Sequence, residues 1–435
     1  MVKINCLRER RSSPVTRHGL AQSVMRIKSQ IRNGISCFQS ESIIGVKAQM
    51  VFWSLGLLYP RFAYAQTSST AAQTGVRDFV EYWAASRLFL DGGNPYSPVE
   101  LLDVQQSVGG SHIAPLIMWN PPWTLLFTLP FGLMSFTVAQ FCWLLIHTFL
   151  ILISAQQLWR LYGDSAKTSR IAWILVLTFV PTVFVLIIGQ ITPLILAGVT
   201  AFLYFERKQN WFAIGAAVLI LSVKPHLLYL FWIVLLLWIW DKRQWRIIWA
   251  SMLIVIIAVL FPLLFDSKIY SQYFALYQTA NIAKPFDWPT PTPRSVIGIL
   301  FGSDRTWLQF LPSVVAVAWV LYYWQRHKRQ WCWLEQLPLL LLVSIASGFF
   351  AWTYDQVVLL PAIFEGAIWI SHQSVSWYRF WAARVYIAIN TCHLVSRFWL
   401  AEELWYFWLA PMLLGNYLIF RWESSRRVVT QKLGA

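Results

Sequence analysis

Long apolar runs separated by short polar or basic stretches constrain this chain more than any other feature of its sequence. Of its residues 57% are hydrophobic and only 12% are charged, whereas about a quarter of the residues in a soluble domain are charged. The 27 Trp and 17 Tyr residues suit a protein with many membrane interfaces, because amphipathic rings settle at headgroup level. The sequence therefore predicts an all-α, polytopic integral membrane protein.

Twelve of the apolar runs are predicted to cross the membrane as helices. The run 119–134 is the exception: it contains three prolines and is shorter than the roughly 20 residues that a span needs, so it is predicted to be re-entrant. The first run ends in Ala63-Tyr64-Ala65, which resembles a signal-peptidase site, but an uncleaved first helix is favoured. The predicted spans are 43–65, 136–158, 171–188, 191–205, 211–223, 227–240, 247–265, 307–324, 334–350, 357–370, 380–398 and 404–420.

The Lys and Arg residues indicate the orientation of these spans, because cytoplasmic loops carry an excess of them. When 119–134 does not cross, the basic clusters all fall on one side, and both termini are predicted to be cytoplasmic. The net charge of +16 is then explained by the basic residues of the cytoplasmic loops and termini. No nucleic-acid partner is expected. The predicted parts are a disordered basic arm (1–42), one transmembrane domain (43–420) with extracytoplasmic loops at 66–118 and 266–306, and a basic cytoplasmic tail (421–435).

Under this topology, polar segments that are distant in sequence converge on the extracytoplasmic face. Polar groups at membrane depth are costly and usually line a functional cavity. The first of these segments contains a predicted amphipathic helix that begins near Asp78, lies on the membrane surface and ends before Gly92-Gly93. A capping role alone would explain an aspartate at that position. The converging segments are 66–116, 189–190, 224–226, 266–306 and 352–355.

Several short motifs occur in a particular order along the chain. They are Asp78 with Tyr82-Trp83-Ala84-Ala85, Asp91-Gly92-Gly93-Asn94-Pro95-Tyr96, Trp119-Asn120-Pro121-Pro122, Gly189-Gln190, Lys224-Pro225 and Tyr354-Asp355. This set resembles glycosyltransferase family 87, whose members are polytopic enzymes of the GT-C superfamily. The resemblance implies transfer of a hexose such as mannose from a polyprenyl-phosphate donor to a lipid or glycan acceptor outside the cytoplasm.

The resemblance also assigns roles to individual residues. Asp78 would be the general base, because an inverting transfer needs a single carboxylate to take the acceptor's proton. The leaving phosphate needs cations, and the candidates are Lys224, His226 and Arg294. The other candidate donor-binding residues are Gln190, Tyr82, Asn120 and Asp355. Purely structural alternatives remain open: snorkelling for the lysine, capping for Asp355, and a bridge between two helices for Gln190.

No metal and no cofactor are expected beyond the lipid-linked sugar. The five cysteines show no CxxC spacing, no strict DxD motif occurs, and no phosphate-binding glycine loop is present. A transporter or lipid flippase is the rival function, and an inactive structural member of the family is a third. Charges concentrated at helix ends, rather than in mid-span, favour the enzyme.

Overall fold

The computed structural model describes residues 78–109, 114–163, 169–279, 282–302, 305–371, 376–400 and 402–433. Every regular element in these ranges is a helix, which confirms the all-α prediction. The predicted arm 1–42, the predicted first span 43–65 and the loop residues 66–77 lie outside the described residues.

The α-helices are numbered in chain order. They are α1 Phe79–Leu90, α2 Pro98–Ser107, α3 Leu125–Gly132, α4 Phe136–Tyr162, α5 Ser169–Thr178, α6 Val180–Ile188, α7 Thr192–Lys208, α8 Trp211–Leu221, α9 Tyr229–Lys242, α10 Trp245–Leu263, α11 Ile269–Leu276, α12 Pro293–Phe301, α13 Thr306–Gln309, α14 Leu311–His327, α15 Trp333–Ser347, α16 Leu360–Ser371, α17 Ser376–Ser396 and α18 Leu409–Leu433. Short 3-10 helices lie at Pro122–Thr124, Pro225–Leu228, Pro285–Asp287, Lys328–Gln330, Tyr354–Leu359 and Glu403–Tyr406.

Three helical segments in the described ranges are long and apolar enough to cross a membrane: Phe136–Tyr162, Pro225–Lys242 and Trp245–Leu263. Helices α5 and α6 together form a fourth candidate that is bent by 68°. Pro181 explains this bend, since it has no N–H with which to continue the hydrogen bonding of α5. The chain is therefore a membrane protein, and the count of twelve crossings stays a prediction.

The proline-rich run 119–134 forms no long helix. It contains one short 3-10 helix and then α3, whose eight residues span about 12 Å of a hydrocarbon core about 30 Å thick. The absence of a crossing helix agrees with the prediction for this run. Its re-entrant character stays a prediction.

Helix α1 forms where the sequence predicts it and ends at Leu90, but it is largely covered by protein and not amphipathic, and its position at the membrane surface stays a prediction. Nine of its twelve residues are buried by protein. Its apolar side chains point in all directions, and such a helix is stable only when it is covered on all sides. Helix α3 covers one side at close range: a Cβ atom on Gly132 would lie 2.8 Å from the backbone carbon of Ser86.

Breaks between helices position the polar residues. Gly189 ends α6 with a φ of 79°, a left-handed conformation that glycine adopts without steric cost. Lys224 precedes the 3-10 helix that leads into α9, and Asp355 lies in the 3-10 helix that leads into α16. The 3-10 helix Tyr354–Leu359 packs against both α6 and α7, which brings these breaks together.

Candidate active site

The start of α1 is attached to the end of α6. The backbone N–H of Asp78 donates to the carbonyl of Ile188 at 2.9 Å. The side chain of Asp78 makes no capping hydrogen bond to its own helix, although capping was the structural alternative for this residue. Its Oδ2 instead accepts a hydrogen bond from the Gln190 side chain at 2.7 Å. Asp78 is partly exposed, so this carboxylate is both held by the protein and accessible.

Gln190 lies at the centre of the cluster. Its Nε2 donates to Asp78 Oδ2 and, at 3.5 Å, approaches Glu81 Oε1. Its Oε1 accepts from Tyr82 Oη at 2.8 Å and from Lys224 Nζ at 2.9 Å. A primary amide has two donor hydrogens and two acceptor lone pairs, so these four partners fix its orientation. Gln190 is therefore a bridge between helices, and its amide has no group left over for a sugar hydroxyl.

Lys224 is only 7% exposed. Besides Gln190, its ammonium group donates to Thr192 Oγ1 at 3.1 Å and to Asp355 Oδ1 at 2.9 Å. An ammonium group has three donors, and here all three point at protein partners. The ammonium also lies 5.4 Å from the centre of the Tyr354 ring. Lys224 is thus held inside the protein and does not snorkel towards the headgroups.

Asp355 is fully buried and completes the ion pair with Lys224. Thr192 Oγ1 donates to its Oδ1 at 2.6 Å, and the backbone N–H of Trp352 donates to its Oδ2 at 3.0 Å. Burial by itself raises the pKa of Asp355, but the charge of Lys224 and these hydrogen bonds outweigh it and hold the pKa below its usual value. Asp355 is therefore an ionised partner for the lysine.

Sequence reasoning missed two members of this cluster. Thr192 bonds both Lys224 and Asp355, and its only signal was a hydroxyl in an apolar run that follows Gly189-Gln190. Glu81 lies one helical turn after Asp78, and no sequence motif singles it out. Burial and the neighbouring charge of Asp78 raise the pKa of Glu81 well above its usual 4.5.

Tyr82 and Asn120 support the cluster from the side. Tyr82 is 1% exposed, and its ring stacks on Trp143 with centroids 5.4 Å apart. Trp143 Nε1 in turn donates to the carbonyl of Gly189 at 2.9 Å. Asn120 Nδ2 donates at 3.0 Å to the carbonyl of Val223, the residue before Lys224. Both residues therefore fix the backbone beside the network.

His226 and Arg294 lie outside this bonded network. His226 is exposed, its ring packs against Phe350 at 5.4 Å, and it is within electrostatic range of Asp355 and Lys224. Arg294 lies 4.2 Å from the Phe349 ring and donates to Gln309 Oε1 at 3.2 Å and to the carbonyl of Phe286. These two side chains thus pack against successive phenylalanines. We call Asp78, Gln190, Thr192, Lys224 and Asp355 the Lys224 network.

A family model described as glycosyltransferase family 87 matches residues 119–348, slightly more than half of the chain. The chain belongs to glycosyltransferase family 87. None of the curated proteins and none of the solved structures compared with it matches. The matched region of this family 87 member contains Asn120, Gln190, Lys224, His226 and Arg294, while Asp78 precedes it and Asp355 follows it.

Membership of family 87 makes this chain a glycosyltransferase, which acts on a sugar donor and an acceptor. Within the described ranges, no group of three or more His, Cys, Asp or Glu side chains is arranged to hold a metal ion. The family 87 member does present a partly exposed carboxylate, Asp78, which a single amide links to a buried cation, Lys224. This is an arrangement that can accept a proton at a defined position.

Proposed function

We propose that this enzyme transfers a hexose, such as mannose, from a polyprenyl-phosphate donor to a lipid or glycan acceptor, with inversion and without a metal or cofactor. The site faces the extracytoplasmic side of a multi-pass membrane protein whose termini are cytoplasmic. The observation that carries the proposal is the bonded chain from Asp78 through Gln190 to Lys224, since it fixes a partly exposed carboxylate beside a buried cation among apolar helices.

Asp78 is the general base in this proposal. The acceptor hydroxyl oxygen forms a bond to the anomeric carbon, its proton passes to the Asp78 carboxylate, and the bond from the anomeric carbon to the phosphate oxygen breaks. Polyprenyl phosphate leaves with the bonding electrons. The charge of Asp78 is one cause of the raised pKa of Glu81, so the two carboxyl groups interact, as neighbouring carboxyl groups do in many acid–base sites.

The geometry changes the expected contacts to the leaving phosphate. The three donors of Lys224 already have protein partners, so we assign it the task of holding Gln190, and through Gln190 the base. His226 and Arg294 are the proposed phosphate contacts, because they pack against the rings of the consecutive residues Phe350 and Phe349. An arginine fork and an imidazole both offer N–H donors to phosphate oxygens.

Tyr82, Asn120 and Asp355 keep their place in the site but receive a different role from the one expected. All three are buried and bonded to protein groups. We propose that they hold the base and the lysine in position, while the donor itself contacts residues at the exposed edge of the cluster.

The test is transfer by the purified full-length protein from radiolabelled polyprenyl-phosphate sugars to a membrane lipid extract. Asp78→Asn keeps the size of the side chain and should lower transfer by about 10²- to 10⁴-fold, the usual contribution of a general base. Asp91→Asn is the matched control, because Asp91 lies at the other end of the same helix and pairs with Arg87 in solvent. Near-normal transfer by Asp78→Asn would remove the assigned role, and uptake of intact substrate without a new bond would favour a transporter.

A further inference from the structure

The turn that carries Asp355 is held by residues from the last quarter of the chain. Glu403 Oε2 accepts hydrogen bonds from Thr353 Oγ1 at 2.5 Å and from the Thr353 backbone N–H at 3.4 Å. Arg397 Nη2 donates to the same Thr353 oxygen at 2.6 Å, and Arg397 Nη1 forms an ion pair with Glu403 Oε1. We call Thr353, Arg397 and Glu403 the Arg397 clamp.

Arg397 also contacts the helix that leads to Gln190. Its guanidinium carbon lies 4.5 Å from the centre of the Phe184 ring on α6 and 3.9 Å from the ring of Tyr406. Helix α6 ends at Ile188, whose carbonyl binds the N–H of Asp78. One guanidinium therefore lies between the segment that carries Gln190 and the segment that carries Asp355.

Movement at Thr353 is transmitted to Asp355 because the turn between them is internally bonded. The N–H of Asp355 donates to the carbonyl of Trp352 at 3.1 Å, and the N–H of Trp352 donates to Asp355 Oδ2 at 3.0 Å. Such a turn moves as one piece. The side chains of Arg397 and Glu403 are only 14% and 18% exposed, so water replaces their mutual contacts poorly.

We propose that Arg397 and Glu403 are positioning residues for sugar transfer. They hold the Gln190 and Asp355 segments at the separation at which Lys224 bonds both, and the bonded Gln190 sets the direction of the Asp78 carboxylate. The expected effect of these residues on the rate of transfer rests on the proposed function, whereas their expected effect on the position of the two segments does not. Neither residue lies in the region that matches the family model, residues 119–348.

The first variant is Arg397→Gln, which removes the charge and one arm of the fork. A misplacement of about 1 Å in a catalytic group costs about 100-fold in rate, so kcat should fall by about 10- to 100-fold while KM changes by less than about twofold. Arg397→Lys keeps the charge but lacks the planar fork that bonds Thr353 and Glu403 together. It should give an intermediate kcat.

The matched control is Arg421→Gln. Arg421 is also partly buried and bonds Tyr323, Gln336 and Tyr417, which lie on α14, α15 and α18 and outside both the Lys224 network and the Arg397 clamp. Its kcat per folded molecule should stay within about twofold of the wild type. An equal loss of kcat in both glutamine variants would show general destabilisation and would overturn the proposal.

Hydrogen–deuterium exchange on the full-length protein gives a second readout that needs no substrate. Arg397→Gln should speed exchange in peptides covering 184–192 and 352–359 and leave α10, which packs against α3, α8 and α9, unchanged. Unchanged exchange in both segments would refute the positioning role, even if the wild type showed no transfer and the proposed function had failed. If Arg397→Gln does not fold, Glu403→Gln replaces it, with the same expected result in both measurements.

Discussion

Two buried polar groups of this protein have similar chemistry but different supports. One is the Lys224 network. The other, which we call the Arg421 cluster, consists of Tyr323, Gln336, Glu365, Tyr417 and Arg421. Arg421 Nη2 donates to Tyr323 Oη at 2.9 Å and to Gln336 Oε1 at 2.7 Å, and Tyr417 Oη donates to Glu365 Oε2 at 2.6 Å. Each group joins several helices through one cation.

The difference lies in the backbone. Members of the Arg421 cluster come from within the continuous helices α14, α15, α16 and α18. Three members of the Lys224 network, Gln190, Lys224 and Asp355, come from breaks between helices. A polar contact between continuous helices fixes the packing of those helices. Residues at breaks lie in irregular backbone, and membrane proteins tolerate irregular backbone at membrane depth where it lines a cavity. We infer that the first arrangement serves stability and the second serves chemistry.

The largest difference in stability between variants of the two groups should come from the buried ion pair of Lys224 and Asp355. Lys224→Met or Asp355→Ala leaves one charge unpaired inside the protein, which costs about 3 to 5 kcal/mol. The double variant should lose much less than the sum of the single losses. Glu365→Gln in the Arg421 cluster should cost less than either single variant, because Glu365 accepts its hydrogen bond from the neutral hydroxyl of Tyr417. Unfolding in detergent measures all four variants, and additive losses at Lys224 and Asp355 would contradict the observed pairing.

The next two variants should have similar effects on stability but different effects on the catalytic rate. Gln190→Leu and Gln336→Leu each remove an amide that bonds a cation, and each should cost about 1 to 3 kcal/mol of stability. Only Gln190→Leu should also lower kcat, by about 100-fold, because the Asp78 carboxylate loses the donor that orients it. Steady-state transfer assays per folded molecule test this contrast. Equal effects on kcat would remove the functional distinction between the two groups.

Much of the Lys224 network was predictable from sequence for one physical reason. A polar residue beside glycine or proline in an apolar run is conspicuous, as Gln190 and Lys224 are, and the resemblance to family 87 added Asp355 through the pair Tyr354-Asp355. The all-α fold was predictable on similar grounds, because the apolar runs dominate the sequence. The structure confirms the helices.

The bonding partners of the site residues were harder to predict than the residues themselves. Lys224 and Asp355 are 131 residues apart, and only the packing of the helices shows that the lysine is paired and so has no spare donor for a phosphate. Thr192 and Glu81 gave weak signals, because a single hydroxyl or carboxylate near a helix end is usually a cap. Helix α1 was predicted to be amphipathic because its sequence does not reveal that α3 and α4 cover it.

The smallest expected effect is the contribution of Glu81 to the pH dependence of stability. Burial and Asp78 raise the pKa of Glu81 above 4.5 in the folded protein, so the folded state binds this proton more tightly than the unfolded chain does. As pH rises above 4.5, the unfolded chain releases the proton first, and the contribution of Glu81 to stability falls until the pH passes the folded pKa.

Glu81→Gln has no such proton, so the melting temperature of the wild type should fall by about 2 °C more than that of the variant between pH 5 and 8. Asp103→Asn is the control, because Asp103 is an exposed carboxylate on α2. It should leave the pH dependence of the melting temperature unchanged. Parallel curves for Glu81→Gln and the wild type would show that the pKa of Glu81 is not raised in the folded protein, and the choice of Asp78 as base would lose that support.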